Sequence, residues 1–369
     1  MRKPTNIQIN LTERCNLRCK NCKIWCLTKK KELSYKEWID IIIDLKQWLG
    51  PYTLDISGGE PFLRKDLIDI IRFCHKNEIQ TVVCTNATLL TPEIIKILSG
   101  LETLNLSISL DGSTPQTHDY MRGVEGTYKR TIDALQQLKN LKRRCSINIA
   151  TILTGYNCNE ILDIVKFVQD KKLADGIVFQ ALEQTFGVGY QKEWFKENTF
   201  WPKGEASNKL NNVIDELIKI KKKDRKIIYN SVEQLQKFKK YFINPNEKIS
   251  GHCMSGQNNF LINPQGEILL CWNMAAIGNF LSKPKQIWVS KNAKNQRALI
   301  YKCQRTCKLL NCNFEVPKIN FREPYHIKEQ ILCDIDRRIG LLGIFLKKHS
   351  PGLYLKIKKI KEIKNKNEK

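Results

Sequence analysis

The stretch Asn6–Cys22, NIQINLTERCNLRCKNC, combines a short strand pattern with three closely spaced cysteines. Its first part, Asn6–Leu11, is a brief run with β-branched apolar residues, as strands have. Cys15, Cys19 and Cys22 follow with the spacing Cys-x3-Cys-x2-Cys. Three thiols therefore extend from one compact loop directly after the first strand, and this loop is a candidate metal site.

The same alternation of apolar runs and helical patterns continues to about residue 183 and predicts βα units in a parallel sheet. The predicted strands are Asn6–Leu11, Thr53–Ile56, Gln80–Cys84, Thr103–Ser109, Ser146–Leu153 and Gly176–Gln180. The predicted helices between them are Tyr35–Leu49, Leu67–Lys76, Pro92–Leu98, Tyr128–Leu141 and Glu160–Gln169. Six strands and five helices fit an α/β fold, an open (β/α)6 partial barrel, with its site at the carboxyl ends of the strands.

Composition places the 369-residue chain among globular proteins, with 42% hydrophobic and 9% aromatic residues. No run approaches the roughly 20 uncharged apolar residues of a membrane span, and the N-terminus lacks the apolar region of a secretion signal. We therefore expect a soluble, cytoplasmic protein. In the reducing cytosol, its 14 cysteines favour metal or redox chemistry where they cluster. Four isolated ones are expected to be core residues: Cys74, Cys84, Cys145 and Cys158.

The net charge of +25 points to an anionic partner such as nucleic acid, a nucleotide or a membrane surface. The excess is spread along the chain and comes mostly from Lys, in a sequence also rich in Ile and Asn. A compositional bias of the source genome would give the same charge. The net charge is therefore only weak evidence for a nucleic-acid partner.

The chain beyond the predicted core, 1–183, divides into three further segments. Residues 184–250 are a helical connector and a candidate lid, with helices near Asn208–Lys222 and Val232–Phe242. Residues 251–321 are Cys-rich and carry a hairpin signal, Phe260–Leu270, which predicts a small second domain. Residues 322–369 form a basic, partly amphipathic tail that suits either peripheral membrane contact or packing on the domain.

The three-cysteine loop suits iron better than zinc. Three thiolates cannot saturate a four-iron cluster, so one iron keeps an open position, as reactive metal centres do. A structural zinc site needs four Cys or His ligands, and the loop has no nearby fourth of convincing spacing, although Cys26 is close.

Polar motifs follow the next strands. After the second strand comes Ser57-Gly58-Gly59-Glu60-Pro61, in which two glycines permit close backbone approach and Glu60 offers a carboxylate to an ammonium group. The later strand ends carry three further motifs: Thr85-Asn86-Ala87, then Ser107-Ile108-Ser109-Leu110-Asp111-Gly112 with His118-Asp119 and Arg122-Gly123, and finally Phe179-Gln180-Ala181.

Together these landmarks, in this order, resemble the radical S-adenosylmethionine (SAM) superfamily. The resemblance implies a [4Fe–4S] cluster on Cys15, Cys19 and Cys22 whose open iron is chelated by SAM. In that family, reductive cleavage of SAM yields a 5′-deoxyadenosyl radical that abstracts hydrogen from a substrate, while the protein positions the cofactor. It also implies an electron donor such as flavodoxin or ferredoxin.

The resemblance also assigns the SAM contacts residue by residue. The SAM amino group is received by Glu60 and the backbone of Gly58 and Gly59, and Asn86 contacts the cofactor. Ala87 stands where the family has Gly, so the local turn is expected to differ. The remaining roles are the SAM carboxylate for Ser109 and Arg122, the ribose for Asp111 and the adenine border for Phe179–Ala181. A planar guanidinium matches a carboxylate; the alternative for Arg122 is a surface arginine at a helix start.

A second cysteine group resembles the opening of the SPASM and Twitch extensions, which bind auxiliary [4Fe–4S] clusters. Cys253 is followed by Gly266 and Cys271, then by Cys303-x3-Cys307-x4-Cys312 and a late Cys333. A complete SPASM domain has four cysteines in the middle group, whereas this chain has three. We therefore expect one auxiliary cluster, bound by Cys253, Cys271 and two of the next three, with structural zinc as the alternative.

The leading hypothesis is a radical SAM oxidoreductase or maturase acting on a small molecule, sugar or peptide. A molybdenum-cofactor cyclase is disfavoured because that family ends in Gly-Gly and this chain ends Lys-Asn-Glu-Lys. A radical enzyme acting on RNA would explain the charge but lacks a recognisable RNA-binding module. A non-catalytic iron–sulfur or zinc-binding interaction protein would not need Glu60, Ser109 and Arg122.

Overall fold

Parallel strands that follow one another along the chain build the central sheet. The strands are β1 (Asn6–Thr12), β2 (Thr53–Gly58), β3 (Gln80–Thr85), β4 (Leu104–Ser109), β5 (Ser146–Leu153), β6 (Gly176–Ala181), β7 (Asn259–Ile262), β8 (Glu267–Leu269) and β9 (Gly278–Asn279). They lie in the order β6-β5-β4-β3-β2-β1-β7-β8-β9. Strands β1 to β6 pair in parallel with their sequence neighbours, which confirms the α/β fold with a parallel sheet predicted from the sequence.

This architecture comes from a computed structural model that describes residues 2–27, 30–185, 188–189, 191–246, 253–303, 305, 307 and 310–311. The chain divides into two units, Met1–Glu315 and Val316–Lys369. All described residues belong to the first unit. The predicted tail 322–369, Cys312 and Cys333 lie outside the described residues.

Helices connect the strands and continue after them. They are α1 (Tyr35–Leu49), α2 (Leu67–Lys76), α3 (Pro92–Ser99), α4 (Pro115–Arg122), α5 (Thr127–Asn140), α6 (Ile161–Lys171), α7 (Trp194–Glu197), α8 (Glu205–Lys223), α9 (Val232–Ile243), α10 (Ser255–Asn258), α11 (Pro284–Val289) and α12 (Lys291–Tyr301). The predicted starts and ends of α1 and α2 are confirmed, and the other predicted core helices are displaced by one or two residues at their ends.

Strand alternation gives the sheet two chemically different faces. In β1, Ile7, Ile9 and Leu11 are buried in the core that the helices cover. Residues of the opposite face are polar; there, Asn148 Nδ2 donates to Ser107 Oγ at 3.0 Å. The partial barrel therefore has an apolar outer layer and a polar inner face.

The same alternation corrects one cysteine prediction. Cys74, Cys145 and Cys158 are buried, as expected for core residues. Cys84 is exposed. Its neighbour Val83 points into the core, so the next residue of β3 must face the polar side of the sheet. The prediction that Cys84 is a core residue was wrong.

Helix α4 was not predicted, yet its ends are chemically well marked. Thr114 caps the helix by accepting a hydrogen bond from the Thr117 N–H, and Pro115 occupies the first turn. Gly123 ends it in a left-handed conformation, with φ of 68°. Arg122 is thus the last residue of this helix rather than a surface arginine at a helix start.

The strands of the Cys-rich segment continue the central sheet. The predicted hairpin is confirmed, because β7 and β8 pair antiparallel across Asn263–Gly266. In addition, β7 pairs in parallel with β1, with Ile7 opposite Phe260. The sheet therefore runs across the boundary predicted at residue 250, and that domain boundary stays a prediction.

Among the described residues, no helix combines the length and apolarity needed to cross a membrane.

Candidate metal centre and cofactor site

The C-terminal end of α4 holds the three-cysteine loop in place. The Arg18 N–H donates to the Arg122 carbonyl at 3.1 Å, and the Lys20 N–H donates to the Met121 carbonyl at 3.0 Å. These two hydrogen bonds lie on either side of Cys19. A Cβ on Gly123 would lie 2.1 Å from the Arg18 carbonyl oxygen, so only glycine permits this contact.

The end of β2 holds the same loop from another side. The Gly59 N–H donates to the Thr12 carbonyl at 2.7 Å, and the Glu60 N–H donates to the Arg14 carbonyl at 2.8 Å. A Cβ on Gly59 would lie 2.1 Å from the Arg14 carbonyl oxygen. The close approach that the two glycines permit is therefore an approach to the cysteine loop's own backbone.

The Glu60 carboxylate is engaged inside the protein. It accepts hydrogen bonds from Thr85 Oγ1 at 2.8 Å, the Asn86 N–H at 2.9 Å and the Phe62 N–H at 3.1 Å. Glu60 is only 1% exposed, and this burial raises the pKa of its carboxyl group. Its side chain joins the ends of β2 and β3, and its contact with the SAM amino group stays a prediction.

Asn86 also reaches the cysteine loop. Its Nδ2 donates to Asn16 Oδ1 at 3.0 Å, and its Oδ1 accepts from the Thr88 N–H at 2.9 Å. Asn16 directly follows Cys15. Ala87 adopts a φ of 62°, a left-handed conformation that glycine adopts more readily, and the expected difference from the family's turn stays a prediction.

Arg122 and Asp111 form an ion pair beside the loop. Arg122 Nη2 lies 2.6 Å from Asp111 Oδ2, and Arg122 Nη1 lies 4.0 Å from Cys19 Sγ. Burial alone would lower the pKa of Arg122, but the Asp111 carboxylate and the Cys19 thiol raise it above its ordinary value. The second oxygen of Asp111 accepts from the Ile152 N–H at 2.9 Å. Both carboxylate oxygens of Asp111 are therefore used within the protein.

Two buried nitrogens near this pair have no hydrogen-bond partner within the described structure, Arg122 Nε and His118 Nε2. His118 Nδ1 accepts from the Asp111 N–H at 3.1 Å, which identifies it as the unprotonated ring nitrogen. Burial lowers the pKa of His118 to about 2, so the ring is neutral at physiological pH. Ser109 is half-buried and is the last residue of β4, two residues before Asp111 in the chain.

The chemistry of the three thiols fits a metal cluster. Cys15, Cys19 and Cys22 are half-buried, and Cys15 Sγ accepts from the Leu17 N–H at 3.5 Å. Burial raises the pKa of Cys15 to about 11, and the neighbouring charges of Cys19 and Cys22 add to this effect. A metal ion that binds here would have to displace the Cys15 proton, and coordination would stabilise the thiolate form.

Four thiols of the second cysteine group lie within the described residues, and Cys253, Cys271, Cys303 and Cys307 are all half-buried. Burial raises the pKa of Cys307, and the charges of Glu183, Cys271, Cys303 and Cys253 raise it further. Within the described ranges, no group of three His, Cys, Asp or Glu side chains is gathered closely enough to hold a single metal ion. Each thiolate of a [4Fe–4S] cluster binds a different iron.

A cavity of about 400 Å³ lies beside the second cysteine group. Its lining includes Glu183, Trp194, Tyr241, Trp272, Arg305 and Cys307. The first cysteine loop reaches this region through Asn21, whose Nδ2 donates to the Glu183 carbonyl at 3.1 Å. Asn21 Oδ1 accepts from Asn198 Nδ2 at 2.8 Å, so one side chain ties the loop to the cavity wall.

Sequence reasoning missed Asn16, Asn21 and Met121, which position the loop through hydrogen bonds. Asn16 and Asn21 lie between or beside the three cysteines, and asparagine is common where a loop needs local hydrogen bonds. No sequence signal marks Met121, because its contribution is a backbone carbonyl.

Comparisons with known proteins agree with this geometry. A family model described as Radical SAM superfamily matches residues 9–168. The chain is 34% identical over 160 residues to AdoMet-dependent heme synthase of Methanosarcina barkeri, which covers 43% of this chain and 45% of that protein. It is 27% identical over 193 residues to GTP 3′,8-cyclase of Aquifex aeolicus, covering 51% and 58%. The matched part thus spans about half the length of these relatives.

Solved structures share the fold over more of the chain. Streptococcus suis SuiB bound to precursor peptide SuiA matches with a TM-score of 0.63 and 18% identity, covering 80% of this chain and 67% of that one. The anSMEcpe structure with bound AdoMet and Cp18Cys peptide matches with a TM-score of 0.62 and 18% identity, covering 82% and 84%. The strands, the clamped three-cysteine loop and the family match together show that this chain contains a radical SAM domain and has the radical SAM core fold.

Proposed function

We propose that this chain is an enzyme that holds a [4Fe–4S] cluster on Cys15, Cys19 and Cys22 and binds SAM at the open iron. The observation that carries the proposal is the clamp on the loop: β2 and α4 hold its backbone on either side, and Arg122 lies 4.0 Å from Cys19 Sγ. When bound, the cluster and SAM supply a 5′-deoxyadenosyl radical for hydrogen abstraction. The protein's part is to fix the loop, orient SAM and keep water away.

The proposed SAM contacts follow from which hydrogen-bonding atoms of each side chain are not already used within the described protein. Arg122 Nε is buried without a partner, so this donor is available to the SAM carboxylate, together with Ser109. Asp111 has both oxygens engaged, so its proposed role is to hold Arg122 in place, in contrast to the predicted ribose contact. Gly58, Gly59 and Glu60 place their backbone at the loop, where the SAM amino group would bind.

We further propose one auxiliary [4Fe–4S] cluster in a Twitch-like or degenerate SPASM arrangement. Cys253, Cys271, Cys303 and Cys307 are four half-buried thiols of the described structure, and four is the ligand number of a fully coordinated cluster. This set leaves Cys312 without a required role. A cluster with four protein ligands can still accept an electron after hydrogen abstraction from the substrate.

A peptide is the proposed substrate. Both solved structures described above hold peptides, and the cavity beside the second cysteine group has the size of pockets that take small ligands or side chains. Its lining mixes aromatic rings with Glu183 and Arg305, which suits a side chain together with its polar backbone. Asn21 brings the first cysteine loop to the same wall.

The test is SAM cleavage by anaerobically reconstituted, reduced protein. We expect formation of 5′-deoxyadenosine and methionine, and loss of this activity in Cys19→Ala. Cys145→Ala is the matched control, because Cys145 is buried directly before β5, far along the chain from either cysteine group. Cleavage that survives in Cys19→Ala would reject the proposal.

Iron counting tests the auxiliary cluster separately. Two four-iron clusters predict about eight irons per chain in the wild type and about four in Cys271→Ala. About four irons in the wild type, unchanged by this substitution, would reject the auxiliary cluster while leaving the SAM site intact. Deuterium transfer from a labelled peptide into 5′-deoxyadenosine would test the substrate class.

A further inference from the structure

Three aromatic side chains line the cavity beside the second cysteine group: Trp194, Tyr241 and Trp272. Two of them already use their polar hydrogen within the protein. The Tyr241 hydroxyl donates to the Leu182 carbonyl at 2.9 Å, and Trp272 Nε1 donates to Gln8 Oε1 at 3.0 Å. What these two rings offer to a bound group is therefore mainly their carbon surface, which favours an apolar chain or a cation.

Glu183 supplies a carboxylate to the same cavity wall, where it is half-buried. Its Oε1 accepts a hydrogen bond from Asn311 Nδ2 at 2.8 Å. Strand β6 fixes Asn311 in turn, because Asn311 Oδ1 accepts from the Ala181 N–H at 2.9 Å and Nδ2 donates to the Ala181 carbonyl at 3.0 Å. Among the described residues only Oε1 of this carboxylate has a partner, so Oε2 is left for a bound group.

The Glu183 carboxylate also lacks a counter-charge. Burial raises the pKa of Glu183 to about 7, and the Asn311 amide is the one described group that opposes this rise. In the part of the chain that the structure describes, Glu183 takes part in no ion pair. A cation that enters the cavity would therefore stabilise a carboxylate that the protein itself leaves uncompensated.

Arg305 is the cation of the described cavity lining, and its charge acts on the cysteines. Burial raises the pKa of the Cys271 thiol, and the Arg305 guanidinium opposes this rise by favouring the thiolate. The proposed auxiliary cluster, with four thiolate ligands, carries a net negative charge that offsets Arg305. With the cluster bound, the charge of the described lining that still lacks compensation is that of Glu183.

We propose that this cavity binds a positively charged side chain of the substrate peptide, Lys or Arg, with the cationic group at Glu183 and the methylene groups among the three rings. The inference rests on the proposed function, because it takes the cavity as the substrate site. Aromatic rings beside a carboxylate suit organic cations, and about 400 Å³ accommodates such a side chain. Asn21 of the first cysteine loop bonds to the Glu183 carbonyl, so the bound side chain would lie on the wall that this loop reaches.

The net charge of +25 makes a preference for cations informative. This charge repels cations from the surface of the chain as a whole and attracts anions. Non-specific binding therefore works against the expected result. A preference for a cationic probe has to come from a local site.

The experiment uses the full chain with reconstituted clusters and four probes. These are the N-acetyl methylamides of lysine, arginine, norleucine and glutamate, and norleucine has the apolar chain of lysine without its charge. The Kd of each probe is measured anaerobically by ligand-observed NMR at about pH 8, where Glu183 and both cationic probes are charged. The readout is the ratio of the norleucine Kd to the Kd of the tighter cationic probe.

Glu183→Gln is the first test variant, because it removes the charge and keeps an oxygen that can accept from Asn311. Its control is Glu193→Gln, which removes the same charge from an exposed carboxylate that pairs with Lys196 at 2.9 Å. Trp272→Leu removes one ring and is the second test variant, which keeps the test valid if Glu183→Gln does not fold. Circular dichroism and iron content are checked before each titration.

Wild-type protein should prefer a cationic probe over norleucine roughly tenfold, as expected for a cation–π contact together with a charge-assisted hydrogen bond. The preference should fall to about twofold or less in Glu183→Gln and to about threefold in Trp272→Leu. Glu193→Gln should keep the wild-type ratio. Whichever of the lysine and arginine probes binds more tightly identifies the substrate side chain.

Four results would overturn the proposal: equal binding of cationic and norleucine probes by wild type, an unchanged preference in Glu183→Gln, an equal loss in Glu193→Gln, or tightest binding of the glutamate probe. The last result would assign the cavity to an anion held by Arg305. Failure of the proposed function looks different. In that case the reconstituted wild type would not cleave SAM, whereas the preference among the probes would still be measured on the same sample.

Discussion

Arg122 and Asp111 form a buried ion pair, with Nη2 and Oδ2 separated by 2.6 Å, at the point where α4 meets the cysteine loop. The side chains are 13% and 3% exposed, so solvent screens the pair weakly. The pair directs the remaining face of the guanidinium toward Cys19. Its energetics can be measured independently of any cofactor.

Replacing only Asp111 should lower the free energy of unfolding more than replacing both Asp111 and Arg122. Asp111→Asn leaves the Arg122 charge buried without its carboxylate, and we expect a loss of about 3 kcal/mol in the free energy of unfolding. Arg122→Met added to Asp111→Asn should recover part of that loss. Denaturant unfolding of the metal-free single and double variants checks this, and a double variant that is less stable than Asp111→Asn would contradict it.

Gly123→Ala should damage the cluster loop specifically. Both Gly123 and Gly126 have positive φ, 68° and 74°, so alanine strains either backbone by about 1 kcal/mol. Only at Gly123 does the new Cβ meet a backbone atom, the Arg18 carbonyl oxygen at 2.1 Å; at Gly126 the nearest atom is Arg130 Nη1 at 3.4 Å. We expect reconstituted Gly123→Ala to bind less iron in the first cluster, whereas Gly126→Ala binds it normally.

The iron content and the absorption spectrum of reconstituted Gly123→Ala and Gly126→Ala measure this difference in cluster binding. Equal iron content in the two variants would show that the loop tolerates displacement of Arg18. In that case the clamp by α4 would not be needed for cluster binding.

Glu60→Gln should destabilise the protein even without SAM or iron. Three donors converge on the Glu60 carboxylate, and the amide nitrogen of glutamine would face one of them. We expect a loss of about 1–3 kcal/mol in the metal-free protein, because a buried donor loses its acceptor. Glu37→Gln is the control, since Glu37 is only half-buried and glutamine also serves in a capping box. If Glu60→Gln loses no more unfolding free energy than the control, the Glu60 side chain does not stabilise the metal-free fold, and its role is cofactor binding alone.

His118 should make stability fall at acidic pH. Its pKa is lowered from 6.5 to about 2 by burial, so below about pH 6.5 the unfolded chain binds a proton that the folded chain does not. The stability due to neutral His118 is therefore complete above that pH and is lost as the pH falls, by about 1.4 kcal/mol per unit. Between about pH 7.5 and about pH 5.5, the Tm of wild type should drop more than that of His118→Gln. Parallel pH profiles would show that His118 titrates normally.

Local sequence pattern was sufficient for much of the core. Strand β5 and helices α1 and α2 match their predicted bounds, because each has a clear hydrophobic period and marked ends, such as the Ser34 cap of α1. Helix α4 was missed because it is short and polar, with few apolar residues to show a period. The pairing of β7 with β1 joins residues more than 250 positions apart, which local patterns do not encode.

The candidate site divides in the same way. The spacing of Cys15, Cys19 and Cys22 and the motif at Gly58–Glu60 predicted a cluster loop and a cofactor class from the sequence alone, because these residues are close together along the chain or stand at strand ends. Tertiary structure decided what their neighbours do. Glu60 is turned inward to Thr85 and Asn86, Asp111 is occupied by Arg122, and backbone carbonyls of α4 clamp the loop. The reason is physical: the ligand set follows from the type and spacing of side chains, whereas the partners of a buried charge depend on which distant segments packing brings against it.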